Sequence, residues 1–359
     1  MFPLSADTTG SMACVSKKLP SQAPNWISSR DSAFSLTGLQ ARLVYPNFRL
    51  GTTGWLIAAV LTLAAGLLRF WNLAHPQELI FDETYYVKDA YSLWHFGYER
   101  SWSDDADDAF AAGQAQPGND ASYVVHPPAG KWLIAIGMAL FGFDNAFGWR
   151  FAAAAAGTLA VLLTFVLAAK LFRSLFLASV AGILLTIEGH HIVMSRVGLL
   201  DIFLMLLVLA AFCALIADRT WGRRRLAAEL AAKYQRVASG SASVAEREDW
   251  KRSMTYGPWL GLRPWRIAAG VLLGVAISVK LSGLAFMAIF GLLTVWWDAN
   301  ARKTAGIRRW LPGATVLDGL WAFVSIVVVG AIAYIGTWAG WLATSGGHYR
   351  NWGAENPSL

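Results

Sequence analysis

Long uncharged runs separated by charged segments dominate the chain. Trp55 to Leu68 is apolar and continues through Arg69-Phe70-Trp71. Ala152 to Ala169 has no charge, and Leu175 to Ile187 is apolar and extended by Glu188-Gly189-His190-His191-Ile192-Val193-Met194. Val197 to Ala217 carries one charge, Asp201; Ile267 to Trp297 carries one, Lys280; Gly319 to Leu342 carries none. A spanning helix needs about 20 mostly apolar residues, so these runs predict membrane helices. Ile267 to Trp297 is either one tilted helix or two helices breaking near Ser278-Val279-Lys280-Leu281-Ser282-Gly283. Basic residues on both flanks, Arg263 and Arg266 before it and Arg302, Lys303, Arg308 and Arg309 after it, favour two segments, each shorter than a full span. Trp132 to Phe143 is too short to span and is expected to lie in the interface.

The loop charges then predict an orientation. Residues 1–49 carry Lys17, Lys18, Arg30, Arg42 and Arg49. Loop 218–266 holds eleven Lys/Arg against five acids, whereas 72–130 holds ten acids against Lys88 and Arg100. Positive loops stay in the cytoplasm. The expected organisation is a polar cytoplasmic tail over 1–50 and a membrane domain of about seven spans over 51–344. An outer catalytic loop over 72–147, a cytoplasmic loop over 218–266 and the start of an outer loop over 345–359 complete it. The segment Arg219 to Arg252, with Ser239-Gly240-Ser241-Ala242-Ser243 at its middle, reads as helical and partly flexible. No apolar segment with a cleavage pattern opens the chain, so no cleaved signal peptide is expected.

Composition supports this reading. The chain is 56% hydrophobic and 15% charged, with mean hydropathy +0.43; soluble domains average roughly 25% charged residues. The net charge of +7 follows from topology, so no nucleic-acid partner is expected. Cys14 and Cys213 cannot build a disulfide framework.

Four groups could carry chemistry. Asp82 and Glu83, in Phe81-Asp82-Glu83-Thr84-Tyr85-Tyr86, follow the first span; a transfer to a hydroxyl needs a carboxylate to take its proton. The alternative is two solvated acids. His126-Pro127-Pro128-Ala129-Gly130-Lys131 is a rigid helix entry or part of a substrate site. Arg150, Glu188, His190, His191, Arg196, Asp201 and Lys280 sit at membrane depth on the Asp82 side, where charges are costly and point to function. Their structural alternative is ion pairing, Arg196 with Asp201 for example, or snorkelling. The metal candidates are poor: adjacent His190 and His191 point about 100° apart on a helix, and Asp104-Asp105-Ala106-Asp107-Asp108 lacks the spacing of a calcium loop. No Gly-rich phosphate loop, G-x-S-x-G or C-x-x-C occurs.

In order along the chain, the Phe81 to Tyr86 and His126 to Lys131 segments, Phe147-Gly148-Trp149-Arg150, Glu188 to Asp201 and Ser278 to Gly283 resemble the signatures of protein O-mannosyltransferases. His348-Tyr349-Arg350-Asn351-Trp352 with Asn356-Pro357 resembles the family's bacterial branch. The likeness runs from about residue 55 to 359. It implies an all-α integral membrane protein of the GT-C fold. Mannose would move, with inversion, from a polyprenyl-phosphate-mannose donor to Ser/Thr hydroxyls of secreted proteins on the outer face of the plasma membrane. Asp82 maps onto the catalytic acid/base and Glu83 onto its partner. Arg150, Arg196 and Lys280, with His126, Asp201 and Glu188, would surround the active site and the lipid phosphate, and Arg69 is a further candidate. No cofactor and no divalent metal are implied. Membrane lipids and the translocation machinery are the further partners. Family members have about eleven spans, so the chain is expected to be truncated. The competing readings are a GT-C enzyme glycosylating a lipid or cell-wall glycan, a non-catalytic membrane subunit, and a transporter.

Overall fold

The structure is a computed structural model describing residues 33–44 and 48–357, apart from the side chain of Glu355. Cys14, Lys17, Lys18 and Arg30, with most of the 1–50 tail, lie outside the described residues. The described residues are all-helical apart from loops and one isolated bridge, Arg100 to Ala121.

The helices in chain order begin with α1 (Leu36–Leu43), α2 (Gly51–Phe70), α3 (Glu83–Phe96), α4 (Ala106–Ala111) and α5 (Ala129–Phe141). There follow α6 (Ala146–Phe172), α7 (Leu175–Ile187), α8 (Gly189–Met194), α9 (Asp201–Ala238) and α10 (Val244–Tyr256). The series continues with α11 (Pro264–Ile277), α12 (Gly283–Thr304) and α13 (Trp310–Thr337, with two π-helical stretches). Five of these, α2, α6, α9, α12 and α13, are long and apolar enough to cross a membrane; α5, α7 and α11 are apolar but shorter. Large apolar side chains such as Leu63, Leu67, Phe176 and Leu292 point outward, as expected of a bundle whose outer solvent is lipid.

The run Ile267 to Trp297 is two helices, α11 and α12, joined by a turn at 278–282. One expectation is corrected: α12 has 22 residues and is long enough to span, because its apolar face continues to Asp298 and its last turn holds Arg302 and Lys303. The basic flanks have a second role. Arg263 and Arg266 are buried and each bonds both Asp218 and Asp298, while Arg302 grips Asp318. These three arginines and three aspartates tie α9, α11, α12 and α13 together at one end. Buried ions are tolerated because each has an opposite charge within hydrogen-bond reach.

Small residues set the crossings. Gly270 and Gly274, one turn apart on α11, face α13; a Cβ at either would overlap the carbonyl oxygen of Ser325 or Gly330. Spacing small residues four apart lets membrane helices approach backbone to backbone. The core beside the site is built from α3, α5, α6 and the start of α9, with Val87, Ile134, Trp149, Leu200 and Phe203 buried.

Candidate active site

The site begins with a tight turn after α2. Phe81 takes a left-handed backbone, φ 54°, and is 76% exposed. A bulky residue rarely adopts that conformation without being held. The hold is reciprocal. The backbone N–H of Ile80 donates to Glu83 Oε2 at 3.0 Å, and the N–H of Glu83 donates to the Ile80 carbonyl at 3.1 Å. Asp82 sits at the apex as N-cap of α3, with no backbone N–H on its carboxylate. It is therefore free to face the site.

Glu83 is different. It is fully buried, and its two oxygens accept from Arg150 Nε (2.9 Å) and Nη2 (2.8 Å), from Ile80 N and from Gly198 N (2.7 Å). Arg150 is equally saturated. Beyond the two bonds to Glu83, its Nη1 donates to the carbonyls of Leu73 and Pro76 and its Nη2 to that of Glu78. All five guanidinium N–H groups are thus used. This geometry bears on two of the candidates. Glu83 has no lone pair left to take an acceptor proton, and Arg150 has no donor left for a lipid phosphate. The pair is a clamp that fixes the turn presenting Asp82.

Around Asp82 stand Tyr86, His126, Asp201 and Lys280. Tyr86 lies one helical turn beyond Asp82, on the same face of α3. Burial and then the Asp82 and Asp201 carboxylates, with a hydrogen bond to Asp82, push its phenol up to about 12. It therefore stays a protonated donor. Its ring lies 6.0 Å from that of His126. Burial, then the charges of Lys280 and Lys131, hold the His126 imidazole below its ordinary pKa against the opposing pull of Asp201 and Asp82. Lys280, in the turn between α11 and α12, donates to Asp201 Oδ1 at 2.7 Å, at the first residue of α9. The predicted pairing of Arg196 with Asp201 is not formed. The His-Pro-Pro segment and the Lys280 turn are stitched together by a bond from Ala129 N to the Ser278 carbonyl, 3.0 Å.

The remaining candidates bond elsewhere. Arg196 donates through Nη1 to the carbonyls of Leu68, Arg69 and Trp71 and so closes the C-terminus of α2. Glu188 is exposed and caps α8, accepting from the N–H groups of His190 and His191, as suits an anion at a helix start. His190 is exposed. Arg69 is fully buried, donating to the carbonyls of Leu185 and Thr186 at the end of α7 and contacting His191 Nδ1 at 2.6 Å. The negative end of a helix dipole compensates its charge. Burial, then the Arg69 charge, lowers the His191 pKa to about 4.

Two features escaped the sequence reading. One is Tyr86. The other is Lys131, which is fully buried between Asp89 and Glu99 at 2.9 Å each. Asp82, Tyr86 and Asp89 follow the i, i+4, i+7 spacing of one helix face, and that signal was available once a helix was assumed over 83–96. Among the described residues, no three His, Cys, Asp or Glu side chains converge as a metal site.

The bundle, with the Asp82, Asp201 and Lys280 cluster at one end, defines an all-α multi-pass membrane protein of the GT-C kind. The sequence profile of the dolichyl-phosphate-mannose-protein mannosyltransferase family matches residues 59–227. The polyprenol-phosphate-mannose–protein mannosyltransferase of Mycolicibacterium smegmatis is 37% identical over 295 residues, 81% of this chain and 51% of that protein. Its namesake in Corynebacterium glutamicum is 35% identical over 303 residues, 84% of this chain and 53% of that protein. A shorter likeness, 52% over 50 residues and 14% of this chain, is to an undecaprenyl phosphate-alpha-4-amino-4-deoxy-L-arabinose arabinosyl transferase of Pseudomonas savastanoi, covering 9% of that protein. The chain belongs to the protein mannosyltransferase family. It spans about half the length of the curated relatives it matches.

Proposed function

We propose that this chain carries the catalytic half of a mannosyltransferase that moves mannose from a polyprenyl-phosphate-mannose donor to Ser or Thr hydroxyls of secreted proteins. The carrying observation is the Asp82 carboxylate, raised on a strained turn, clamped from behind by Glu83–Arg150 and flanked by Tyr86, His126 and the Lys280–Asp201 pair. In the reaction, Asp82 accepts the hydroxyl proton as the acceptor oxygen bonds to the anomeric carbon. The bond from that carbon to the phosphate oxygen breaks on the opposite face, so the configuration inverts. The leaving phosphate gains negative charge, and a fixed cation lowers that cost. Lys280, whose side chain is 25% exposed, is the cation open to it. Tyr86 stays protonated and orients Asp82. No resident metal is assigned a role.

The excess of acids in 72–130 and of Lys/Arg in 218–266 supports a cytoplasmic N-terminus and a site on the outer face of the cell membrane. The names of the mycobacterial and corynebacterial relatives support the donor and the protein acceptor. The short arabinosyl transferase likeness, whose printed name also contains a polyprenyl-phosphate sugar, favours a second reading with the same donor class and a non-protein acceptor.

Membranes holding this chain, supplied with labelled polyprenyl-phosphate mannose and a Ser/Thr-rich peptide, test the proposal. It expects label on the peptide, of inverted anomeric configuration, unaffected by a chelator and lost in Asp82→Asn. Label only in lipid or glycan would move the reading to the second acceptor class. Equal transfer by the variant would remove Asp82 as the base.

A further inference from the structure

Lys131 is fully buried in the first turn of α5, just after His126-Pro127-Pro128. Its ammonium lies 2.9 Å from Asp89 Oδ2 and 2.9 Å from Glu99 Oε1. An ammonium tolerates such burial because both acids bond it. The three ions come from three segments: Asp89 from α3, Glu99 from the stretch just after it, and Lys131 from α5.

Glu99 holds the chain a second time. Its backbone carbonyl accepts from the N–H of Ser122 at 3.0 Å, and the N–H of Ser101 donates to the Asp120 carbonyl at 2.9 Å. Glu99 therefore grips the chain at Ser122 through its backbone and at Lys131 through its carboxylate. His126 lies between these two grips, and Pro127 and Pro128 stiffen the path from it to α5. Its ring rests 6.0 Å from that of Tyr86. Tyr86 shares one face of α3 with Asp82 and Asp89.

Charge gives this arrangement a chemical consequence. The groups around His126 are Asp82 and Tyr86 at the start of α3, Asp201 from α9, Lys280 from the turn between α11 and α12, and Lys131 from α5. Burial and then the two lysines hold its imidazole below its ordinary pKa. Around Asp89, burial pushes the carboxyl up; Lys131 opposes this, Glu99 adds to it, and Lys88 opposes it weakly. A protonated His126 would be a cation near Asp82 and would make that carboxylate a poorer base. A neutral imidazole leaves Asp82 basic.

We propose that Lys131 is a positioning residue for mannose transfer: clasped by Asp89 and Glu99, it fixes the His126-Pro127-Pro128 turn against the Asp82 face of α3. The kinetic side of this inference rests on Asp82 as the proton acceptor; the fixing of His126 does not.

The test uses the full chain in detergent and the double variant K131M/E99Q. The variant removes one charge of each sign and leaves the formal charge of the cluster unchanged. NMR of histidine-labelled protein, with the His126 signal assigned through His126→Asn, follows the imidazole. Its midpoint is expected to rise by at least about 0.5 pH unit in the double variant, because a nearby cation is gone. The acid limb of the kcat–pH profile for mannose transfer is expected to rise with it. In a His126→Asn background the same two substitutions are expected to move that limb by less than about 0.2 pH unit. Lys131→Arg keeps the cation and is expected to hold both midpoints within about 0.2 pH unit of the unmodified chain. A purely structural lysine would lower kcat evenly across pH and leave both midpoints in place, which would overturn the proposal. A shifted imidazole with an unshifted kcat limb would overturn it as well. Absence of transfer by the unmodified chain would defeat the proposed function instead, and the imidazole midpoint would then decide whether Lys131 fixes His126.

Discussion

Glu83→Gln separates a catalytic from a positioning carboxylate. The side chain keeps its shape and loses its charge. In the native protein Glu83 accepts four hydrogen bonds of 2.7–3.0 Å and is the only carboxylate bonded to Arg150 among the described residues. Arg150 is 1% exposed. Breaking a buried pair leaves one ion uncompensated and costs about 3–5 kcal/mol. The amide nitrogen of Gln also faces an N–H donor in place of an acceptor, for about 1 kcal/mol more. Arg150→Met is expected to cost a similar amount, because Glu83 is then the stranded charge. The double variant strands neither ion, so it is expected to be less destabilised than the sum by about 3 kcal/mol. Denaturant titration in mixed micelles for the four proteins of the cycle reads this directly. Transfer activity is expected to fall in both single variants, since the turn carrying Asp82 is released. Additivity within about 0.5 kcal/mol would refute the clamp, as would a Glu83→Gln variant that is stable and inactive.

Tyr86→Phe removes the hydroxyl that faces Asp82; a lost hydrogen bond to a charged group predicts roughly 10-fold slower transfer in a kinetic assay, with stability little changed. Gly274→Leu places a side chain where α11 meets the Gly330 carbonyl, and a loss of about 1–3 kcal/mol or more is expected in the same denaturant titration. His191 lies at the junction of α8 and is held neutral, its pKa lowered from 6.5 to about 4 by burial and Arg69. The unfolded chain therefore binds the extra proton first, so its contribution to stability is complete above about pH 6.5 and is lost as pH falls toward about 4. His191→Gln is expected to flatten that part of a stability–pH profile.

Five of the about seven expected spans are helices long enough to cross, legible because a bilayer demands long apolar runs, while α7 and α11 are shorter; the break at Ser278 to Gly283 was legible because basic residues flank both sides. The place of Asp82, in the loop just beyond the first span, was legible. What escaped was the partition of labour among the charges. Glu83 and Arg150 are 67 residues apart, and Gly198 reaches Glu83 across 115; local pattern carries no trace of such contacts. Adjacent carboxylates at 82 and 83 look equivalent in sequence, yet their side chains point to different sides of the turn. Arg196 likewise spends Nη1 on the end of α2, a helix more than 120 residues earlier. The helix expected over Arg219 to Arg252 is present, in two pieces, and its first piece continues α9 without a break. The 38 residues of α9 run past the apolar stretch because alanines and long basic side chains sustain a helix outside the membrane.

The central claim is that Asp82 takes the acceptor proton while the groups around it bind and orient. Steady-state mannose transfer by Asp82→Asn, with donor concentration varied, tests it most directly. A positioned base contributes about 10²–10⁴-fold, so kcat is expected to fall by that order while the donor KM stays nearly constant. A variant with near-normal kcat, or one whose defect lies wholly in the donor KM, would contradict the account.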